Sequence, residues 1–263
     1  MATQPVLPPD EAPLDEETVD LFLSNMGTEM VLVGGQALAF WMSRFGIEQN
    51  GVAISNDGDA LGEVARATDL ALAMKARIEL PSKKSRTAIV AQLRLPTPGG
   101  RERNIDVLHK LFTVAGLKKP SVFTRRVIAD SVQVEWRPGR FIKVMDPFDV
   151  LESRAQNAVG LFDLKGPHVV TQLAWAVQVA REALRRIAAD SGSSDRLGNK
   201  IQYIYTLARS QVGRRLLKER QIDLMDAIDI VALRALSPAH GKQLDVIEKA
   251  MAELRRKRPA PAP

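Results

Sequence analysis

The feature that most constrains the fold is a change in the pattern of the chain at Asp146-Pro147. Before this point, stretches with apolar residues at helical spacing alternate with short β-favouring runs. After it, every long stretch has helical spacing, and Asp146 followed by Pro147 is typical of a helix start. The pattern predicts an α+β protein, with a mixed sheet and flanking helices over 14–145 and an all-helical lobe over 146–256.

The elements of the first lobe follow from hydrophobic periodicity and turn residues. Helices are predicted over 14–26, 36–45 and 63–76. Strands are predicted over 30–33, 88–95, 104–108, 122–136 and 141–144, with the second and third of these forming a hairpin. Residues 1–13, rich in proline and acid, are predicted to form a flexible arm, and residues 257–263 a frayed tail.

Composition excludes several kinds of site and leaves others open. The chain has no cysteine, which excludes disulfides, zinc fingers and thiol catalysis, and only three histidines. A net charge of +6 is compatible with a polyanionic partner and equally with a basic surface that binds no nucleic acid. No apolar run is long enough to span a bilayer, and the first residues do not resemble a signal peptide. We therefore predict a cytoplasmic protein that does not insert into membranes.

A glycine pair follows the first predicted strand directly. Gly34 and Gly35 lie between the apolar run 30–33 and the predicted helix 36–45. Glycine has no Cβ, and a helix N-terminus offers free N–H groups, so a phosphate could approach the backbone closely here. A tight turn with no ligand explains a lone glycine pair equally well.

Three aspartates lie in or beside predicted strands. Asp57 and Asp59 are two positions apart, so in an extended strand both would point to the same side. Asp106 lies inside the apolar run 104–108, where a carboxylate without a partner would be costly. Carboxylates gathered on one sheet face suit a hard divalent cation, so we predict a site for Mg²⁺ or Mn²⁺.

The order of these motifs is more specific than any one of them. The segments VLVGGQALAFW (31–41), SNDGDALG (55–62) and NIDVL (104–108) together resemble the nucleotidyltransferase superfamily, which has the DNA polymerase beta-like fold. The likeness is greatest to AbiEii-type toxins and minimal nucleotidyltransferases. The stretch VMDPFDVLESRAQNAVGL (144–161) resembles the helix that opens the helical lobe in these proteins.

The resemblance implies an activity and a role for each matching residue. The activity is Mg²⁺-dependent transfer of a nucleoside monophosphate from a nucleoside triphosphate, such as ATP, to a hydroxyl of RNA, tRNA, a protein or a small molecule. The implied metal ligands, which are also the catalytic residues, are Asp57, Asp59 and Asp106. The implied nucleotide-binding residues are Gly34, Gly35, Gln36, Arg154 and Lys165. A toxin role would add a cognate antitoxin protein as partner.

Two alternatives stay open at this stage. Gly58, between the two aspartates, weakens a strand interior, and the long segment between Gly35 and Asp57 needs an inserted loop. Both features favour a degenerate member that binds nucleotide, nucleic acid or a partner protein without catalysis. The basic C-terminal half also allows a DNA-binding regulator, although it contains no clear helix-turn-helix signature.

Overall fold

The fold is α+β, as predicted, with one seven-stranded mixed sheet and a helical C-terminal portion. A computed structural model describes residues 10–48, 56–82, 84–190 and 194–256. The strands are β1 (Val31–Leu32), β2 (Gly58–Leu61), β3 (Arg77–Glu79), β4 (Ile89–Pro96), β5 (Glu102–Leu108), β6 (Val132–Arg137) and β7 (Arg140–Val144).

Helices surround the sheet and then continue alone. The first part contains α1 (Glu16–Met26), α2 (Gly34–Phe45), α3 (Val64–Met74) and α4 (Pro120–Asp130). The C-terminal part contains α5 (Pro147–Gly160), α6 (Phe162–Lys165), α7 (His168–Ala189), α8 (Ser194–Arg209), α9 (Gln211–Arg220), α10 (Ile230–Leu236) and α11 (Gly241–Arg256). Two 3₁₀ turns, Leu224–Ala227 and Pro238–His240, flank α10.

The strand order is β3-β4-β5-β2-β1-β7-β6. β2 pairs in parallel with β5, and β1 in parallel with β7, whereas the other neighbours are antiparallel. β1 and β2 are therefore central, and the chain passes from the end of β1 straight into α2. This arrangement brings the start of α2 beside β2, the strand that was predicted to carry Asp57 and Asp59.

Burial alternates along the strands, as a sheet covered by helices requires. Ile105 and Val107 of β5 are fully buried on one face, and Asp106 between them belongs to the other face. α1 packs on the face of Ile105, since Phe22 lies close to Gly58 and Ile105. α2 contacts α5 and α7, so the buried apolar side chains of the sheet and of the helical portion form one continuous core.

Several local predictions are confirmed. The hairpin of β4 and β5 pairs from Ile89 opposite Leu108 to Pro96 opposite Glu102. Pro147 occupies the first turn of α5, and the Asp146 carboxylate accepts a hydrogen bond of 2.9 Å from the backbone N–H of Phe148. The cap satisfies a donor that has no intrahelical acceptor, which is why the helix begins there.

The strand predicted over 122–136 is wrong in its first two thirds. Residues 120–130 form α4, and only Val132–Arg137 is a strand. Pro120 stands at the first helical position, and the buried residues Phe123 and Val127 are four apart, which is helical spacing. The β-branched residues of this stretch suggested a strand, but packing of one helical face outweighs that weak preference.

The predicted flexible arm is anchored at its inner end. Ala12 is buried, its N–H donates to Glu102 O at 2.9 Å, and the N–H of Glu102 donates to Asp10 O at 2.9 Å. These bonds extend the sheet beside β5, so residues 10–13 are not loose. Residues 1–9 of the arm and the predicted tail 257–263 lie outside the described residues.

Across the described ranges, every helix is too short or too polar to cross a lipid bilayer.

Candidate active site

Asp59 and Asp106 lie side by side in the centre of the sheet. They are opposite each other in the register of the parallel strands β2 and β5. Neighbouring residues in register project to the same face, so their carboxylates share one surface. Asp57 lies in the bend just before β2, rather than within the strand as predicted, and its charge still acts on both of the others.

Asp59 is half-buried, and the two other aspartates lie near its carboxyl. Burial raises its pKa to about 8, and the negative charges of Asp57 and Asp106 act in the same direction. Lys165 and Arg154 oppose the shift. At neutral pH this carboxyl therefore holds a proton much of the time unless more positive charge approaches it.

Asp106 has a milder shift because it has a hydrogen-bond partner. Burial raises its pKa to about 6, while the hydrogen bond from Gln92 Nε2 to Asp106 Oδ1, at 2.8 Å, acts against this rise. Asp57 raises the pKa of Asp106 further, and Arg94 lowers it. Asp106 is thus mostly ionised at pH 7, but more basic than an ordinary aspartate.

Gly34 is in direct contact with Asp59. Its φ is +68°, a left-handed conformation that L side chains rarely adopt. A Cβ at this position would overlap Asp59 Oδ2 and lie 2.7 Å from Asp59 Cγ. Only glycine allows the backbone to pass so close to the carboxylate, which explains the residue type at this position.

The glycine pair belongs to α2 itself, instead of forming a turn before it. Gly34 and Gly35 are its first two residues, and the first bond of the new helix runs from Ala37 N–H to Val33 O. The N–H groups of the residues between them have no intrahelical acceptor. Because Gly34 lies against Asp59, this end of the helix places a positive partial charge beside that carboxyl.

Gln36 occupies the same turn, but its side chain lines a separate groove between α1, α2 and β6. It is 8% exposed and makes no hydrogen bond within the described part of the chain. The structure therefore places the predicted nucleotide-binding Gln36 next to the site along the chain, with its amide in a different cavity.

The helical portion contributes positive charge to the aspartates. Arg154 of α5 is buried, and it donates from Nη1 to Gln172 Oε1 at 3.1 Å and from Nη2 to Ser153 Oγ at 3.1 Å. Its Nε is buried without a hydrogen-bond partner among the described residues. Burial lowers the pKa of Arg154, and the charges of Asp59 and Asp57 counteract this.

Lys165 ends α6 and is exposed, yet its charge acts on Asp59. The structure thus brings together Gly34, the three aspartates, Arg154 and Lys165 from five separate stretches of the chain.

Sequence reasoning missed two polar residues of this region. Gln92 of β4 holds Asp106 and could have been found from the hairpin, since Gln92 is opposite Asp106 in its register. His168 begins α7, and burial lowers its pKa, while a hydrogen bond to the backbone of Lys165 opposes this. The chain contains no local signal that places His168 near Asp57, because the fold of α6 and α7 does so.

Packing explains the glycine at position 58, between the two aspartates. A Cβ there would lie 3.1 Å from Ile105 Cγ1 and 3.3 Å from Phe22 Cε1. α1 therefore lies too close to the sheet for a larger side chain. The glycine belongs to the packing of α1 on the face opposite to Asp59.

The donor set suits a hard divalent cation in its chemistry. Burial and then the charges of the neighbouring aspartates raise the pKa of Asp59 and Asp106, and a bound cation would relieve the repulsion among these carboxylates. Within 10–48, 56–82, 84–190 and 194–256, no three His, Asp or Glu side chains are arranged so that they could hold a metal ion. The ligand type therefore fits Mg²⁺ or Mn²⁺, and binding would require the carboxylates to draw together.

Comparison with known proteins identifies no family. No protein-family model matches the chain, and no curated protein does so either. Among solved structures, the chain is similar to the crystal structure of JHP933 from Helicobacter pylori. The identity is 14%, the TM-score is 0.34, and the match covers 92% of this chain and 99% of that one. A likeness of this size supports no inference about function.

Proposed function

We propose that the protein is a metal-dependent nucleotidyltransferase. The observation that carries the proposal is the placement of Asp59 beside Asp106 in the register of β2 and β5, with the backbone of Gly34 against Asp59. Half-buried carboxylates beside a glycine-rich helix start form a site that can pair a cation with a phosphate. The order of the sequence motifs, which resembles that of nucleotidyltransferases, supports the same function.

The implied cation would be held by Asp57, Asp59 and Asp106. When bound, Mg²⁺ or Mn²⁺ supplies positive charge that neutralises the phosphates and lowers the pKa of a nearby hydroxyl.

The chain's own groups would bind the nucleoside triphosphate around this centre. The free N–H groups at the start of α2, from Gly34 and Gly35, would donate to phosphate oxygens. Arg154 and Lys165 would add charge from the helical side, where pyrophosphate acquires negative charge as it leaves.

The proposed reaction is attack of an acceptor hydroxyl oxygen on the α-phosphorus. A new P–O bond forms to the acceptor, the bond from the α-phosphorus to the bridging oxygen breaks, and pyrophosphate leaves with that electron pair. Asp106 would accept the hydroxyl proton. A carboxylate with a pKa of about 6 is mostly deprotonated at pH 7 and is a stronger base than an ordinary aspartate.

The test is pyrophosphate release from each nucleoside triphosphate with Mg²⁺, in the presence of tRNA, total RNA or protein acceptors. We expect release with at least one acceptor, reduced about 100-fold or more in Asp59→Asn and Asp106→Asn. The control is Asp130→Asn, because Asp130 is exposed at the end of α4. Equal rates in all four proteins would reject the assignment of the aspartates.

A second candidate is a nucleotide-binding protein without transferase activity. The specific observation in its favour is that Asp106 is held by Gln92, while the described part of the chain contains no three-ligand metal cluster. Triphosphate binding that is independent of Mg²⁺, with no turnover on any acceptor, would favour this candidate.

The biological setting is proposed from the resemblance alone. A toxin that modifies RNA or protein in the cytoplasm, neutralised by a cognate antitoxin, would match AbiEii-type proteins. Growth arrest on expression that disappears in Asp59→Asn would support this setting, and unaltered growth with an active enzyme would oppose it.

A further inference from the structure

A groove of about 1040 Å³ lies between α1, α2 and β6, apart from the aspartates. Its apolar lining includes Val19 and Leu23 of α1, Phe40 of α2 and Trp136 of β6. The rings of Phe40 and Trp136 are 6.0 Å apart, and Trp136 is only half-buried. Phe40 is itself buried, so the groove presents mainly the Trp136 ring, which attracts cations and covers the aliphatic stems of lysine and arginine.

The rim of the groove is acidic, although the whole chain carries a net charge of +6. Two of its carboxylates are compensated, because Asp15 pairs with Arg103 and Asp20 with Arg137. The other three carboxylates of the rim form no ion pair within the described residues: Glu16, Glu17 and Glu135. Arg44 also lines the groove and adds one positive charge to the rim. The remaining charge on the rim is therefore negative and favours a cationic occupant.

Gln36 supplies a polar group inside the groove. The residue is 8% exposed, lines the groove, and makes no hydrogen bond to any residue that the structure describes. Its amide is not sealed from water, so a ligand in the groove could replace the water on it. An amide offers one acceptor and two donors, which match the N–H and C=O of a peptide backbone.

Two walls of the groove are joined to the segments that carry the aspartates. Gln36 is two residues after Gly34, which touches Asp59. On the opposite wall, Asp15 follows Leu14, whose N–H donates to Asn56 O at 3.0 Å, one residue before Asp57. The aspartates themselves do not line the groove.

We propose that this groove binds a lysine- or arginine-rich segment of a protein. The Trp136 ring, the acidic rim and the Gln36 amide together fit a cationic polypeptide, and the volume exceeds that needed for one small cation. We expect the segment to belong to a protein acceptor. This acceptor role rests on the proposed transferase function, whereas the binding of the segment to the groove is independent of that function. An RNA would meet the uncompensated Glu16 and Glu17 at the rim.

Tryptophan fluorescence provides a direct test, without nucleotide or metal. The chain has three tryptophans, and Trp41 and Trp175 are buried, so a ligand in the groove would affect Trp136. We expect an acetylated hexapeptide of alternating lysine and leucine to quench the emission, and one of alternating glutamate and leucine to leave it unchanged. Trp136→Phe should remove the signal, with binding then followed by calorimetry.

Two variants assign the binding to the groove. The double variant Glu16→Lys/Glu17→Lys should bind the cationic peptide about tenfold more weakly. Asp130→Lys/Glu253→Lys is the matched control, since it changes the net charge equally at exposed positions elsewhere, and it should bind normally. Gln36→Leu keeps the bulk of the side chain but removes the amide, and should weaken binding about fivefold. Thermal melting establishes that each variant is folded.

The outcomes separate this inference from the enzymatic proposal. Asp106→Asn should abolish transfer and bind the peptide as the wild type does. Equal peptide affinity in Glu16→Lys/Glu17→Lys and its control would overturn the groove proposal and leave the transferase untouched. A uridine hexanucleotide that quenches Trp136 when the cationic peptide does not would also overturn it.

Discussion

Two features require glycine at position 34: a left-handed backbone conformation and a close contact with Asp59. A comparison with Gly46 separates their effects. Gly46 has the same φ of +68°, but a Cβ there would meet nothing within 4 Å. Gly46→Ala should lose about 1 kcal/mol of unfolding free energy from the backbone alone. Gly34→Ala should lose more, because the new methyl displaces the Asp59 carboxyl, and should also weaken triphosphate binding.

Urea unfolding and nucleotide titration of both variants give the measurement. If Gly34→Ala and Gly46→Ala had the same unfolding free energy and the same triphosphate affinity, the contact of Gly34 with Asp59 would have no role.

The raised pKa of Asp59 makes stability depend on pH. The pKa is about 8 in the folded protein and near 4 in the unfolded chain, so the folded state binds more protons between these values. The contribution of Asp59 to stability is full below about pH 4 and is lost as pH rises through 8. Asp59→Asn should therefore flatten this decline, by up to about 4 kcal/mol between pH 5 and pH 8.5 in chelator, since three pH units at about 1.36 kcal/mol each separate pH 5 from the folded pKa.

Asp130→Asn serves as the comparison, because Asp130 is exposed at the end of α4. A decline that is equally steep in Asp59→Asn would show that this carboxyl is not the group that titrates.

At the scale of single residues, local rules predicted part of the site. Strand alternation predicted a shared side for Asp57 and Asp59, but Asp57 lies in the bend before β2. The placement of Asp59 beside Asp106 depends on the register of β2 and β5, which alternation within one strand does not give. The proximity of Lys165 and His168 depends on how α6 and α7 return to the sheet, which no local pattern encodes. The position of the Gln36 amide depends on α1 and β6 in the same way.

At the scale of elements, a buried ionic network joins α4, α5 and α8. Arg126 Nη2 donates to Asp149 Oδ1 at 2.6 Å, Glu152 Oε2 at 2.8 Å and Tyr203 OH at 2.9 Å. Burial alone would raise the pKa of Glu152, but the charge of Arg126 and hydrogen bonds from Lys118 and Tyr203 outweigh it and lower that pKa. The network therefore keeps a buried carboxylate ionised.

Arg126→Ala should be strongly destabilising, because it leaves Asp149 and Glu152 buried with too little positive charge. We expect a loss of about 3 kcal/mol in unfolding free energy. Arg125→Ala is the matched control, since Arg125 is exposed and bonds only weakly to Ser121 O at 3.4 Å, and should cost under about 0.5 kcal/mol. Similar losses in both variants, in urea unfolding, would mean that the network contributes little.

Elements with a local stop or start signal were predicted, and those set by tertiary packing were not. The β4–β5 hairpin and the start of α5 follow from turn residues and a capping aspartate. α4 was read as a strand because its β-branched residues obscured the helical spacing of Phe123 and Val127. β3, three residues long, pairs at the edge of the sheet and is too short to have a periodic signal.

At the scale of the whole molecule, the candidate site lies where the helical portion meets the sheet. α2 joins the two, and Arg154 brings a buried charge from α5 toward Asp59. Arg154→Met, which keeps much of the volume, should weaken triphosphate binding about tenfold or more while leaving the protein folded. Arg196→Met, at an exposed position of α8, should bind as the wild type does.

Calorimetric titration of the three proteins with a non-hydrolysable triphosphate and Mg²⁺ measures this difference. Equal affinities would place Arg154 outside the binding site.

The central claim is that Asp59 and Asp106 jointly hold a divalent cation beside the start of α2. Its most direct test is electron paramagnetic resonance of Mn²⁺ titrated into the wild type, Asp106→Asn and Asp130→Asn, with and without a non-hydrolysable triphosphate. The account predicts bound Mn²⁺ in the wild type and in Asp130→Asn, tighter with the triphosphate, and at least about tenfold weaker binding in Asp106→Asn. Mn²⁺ that stays free in the wild type, or that binds equally in all three proteins, would contradict it.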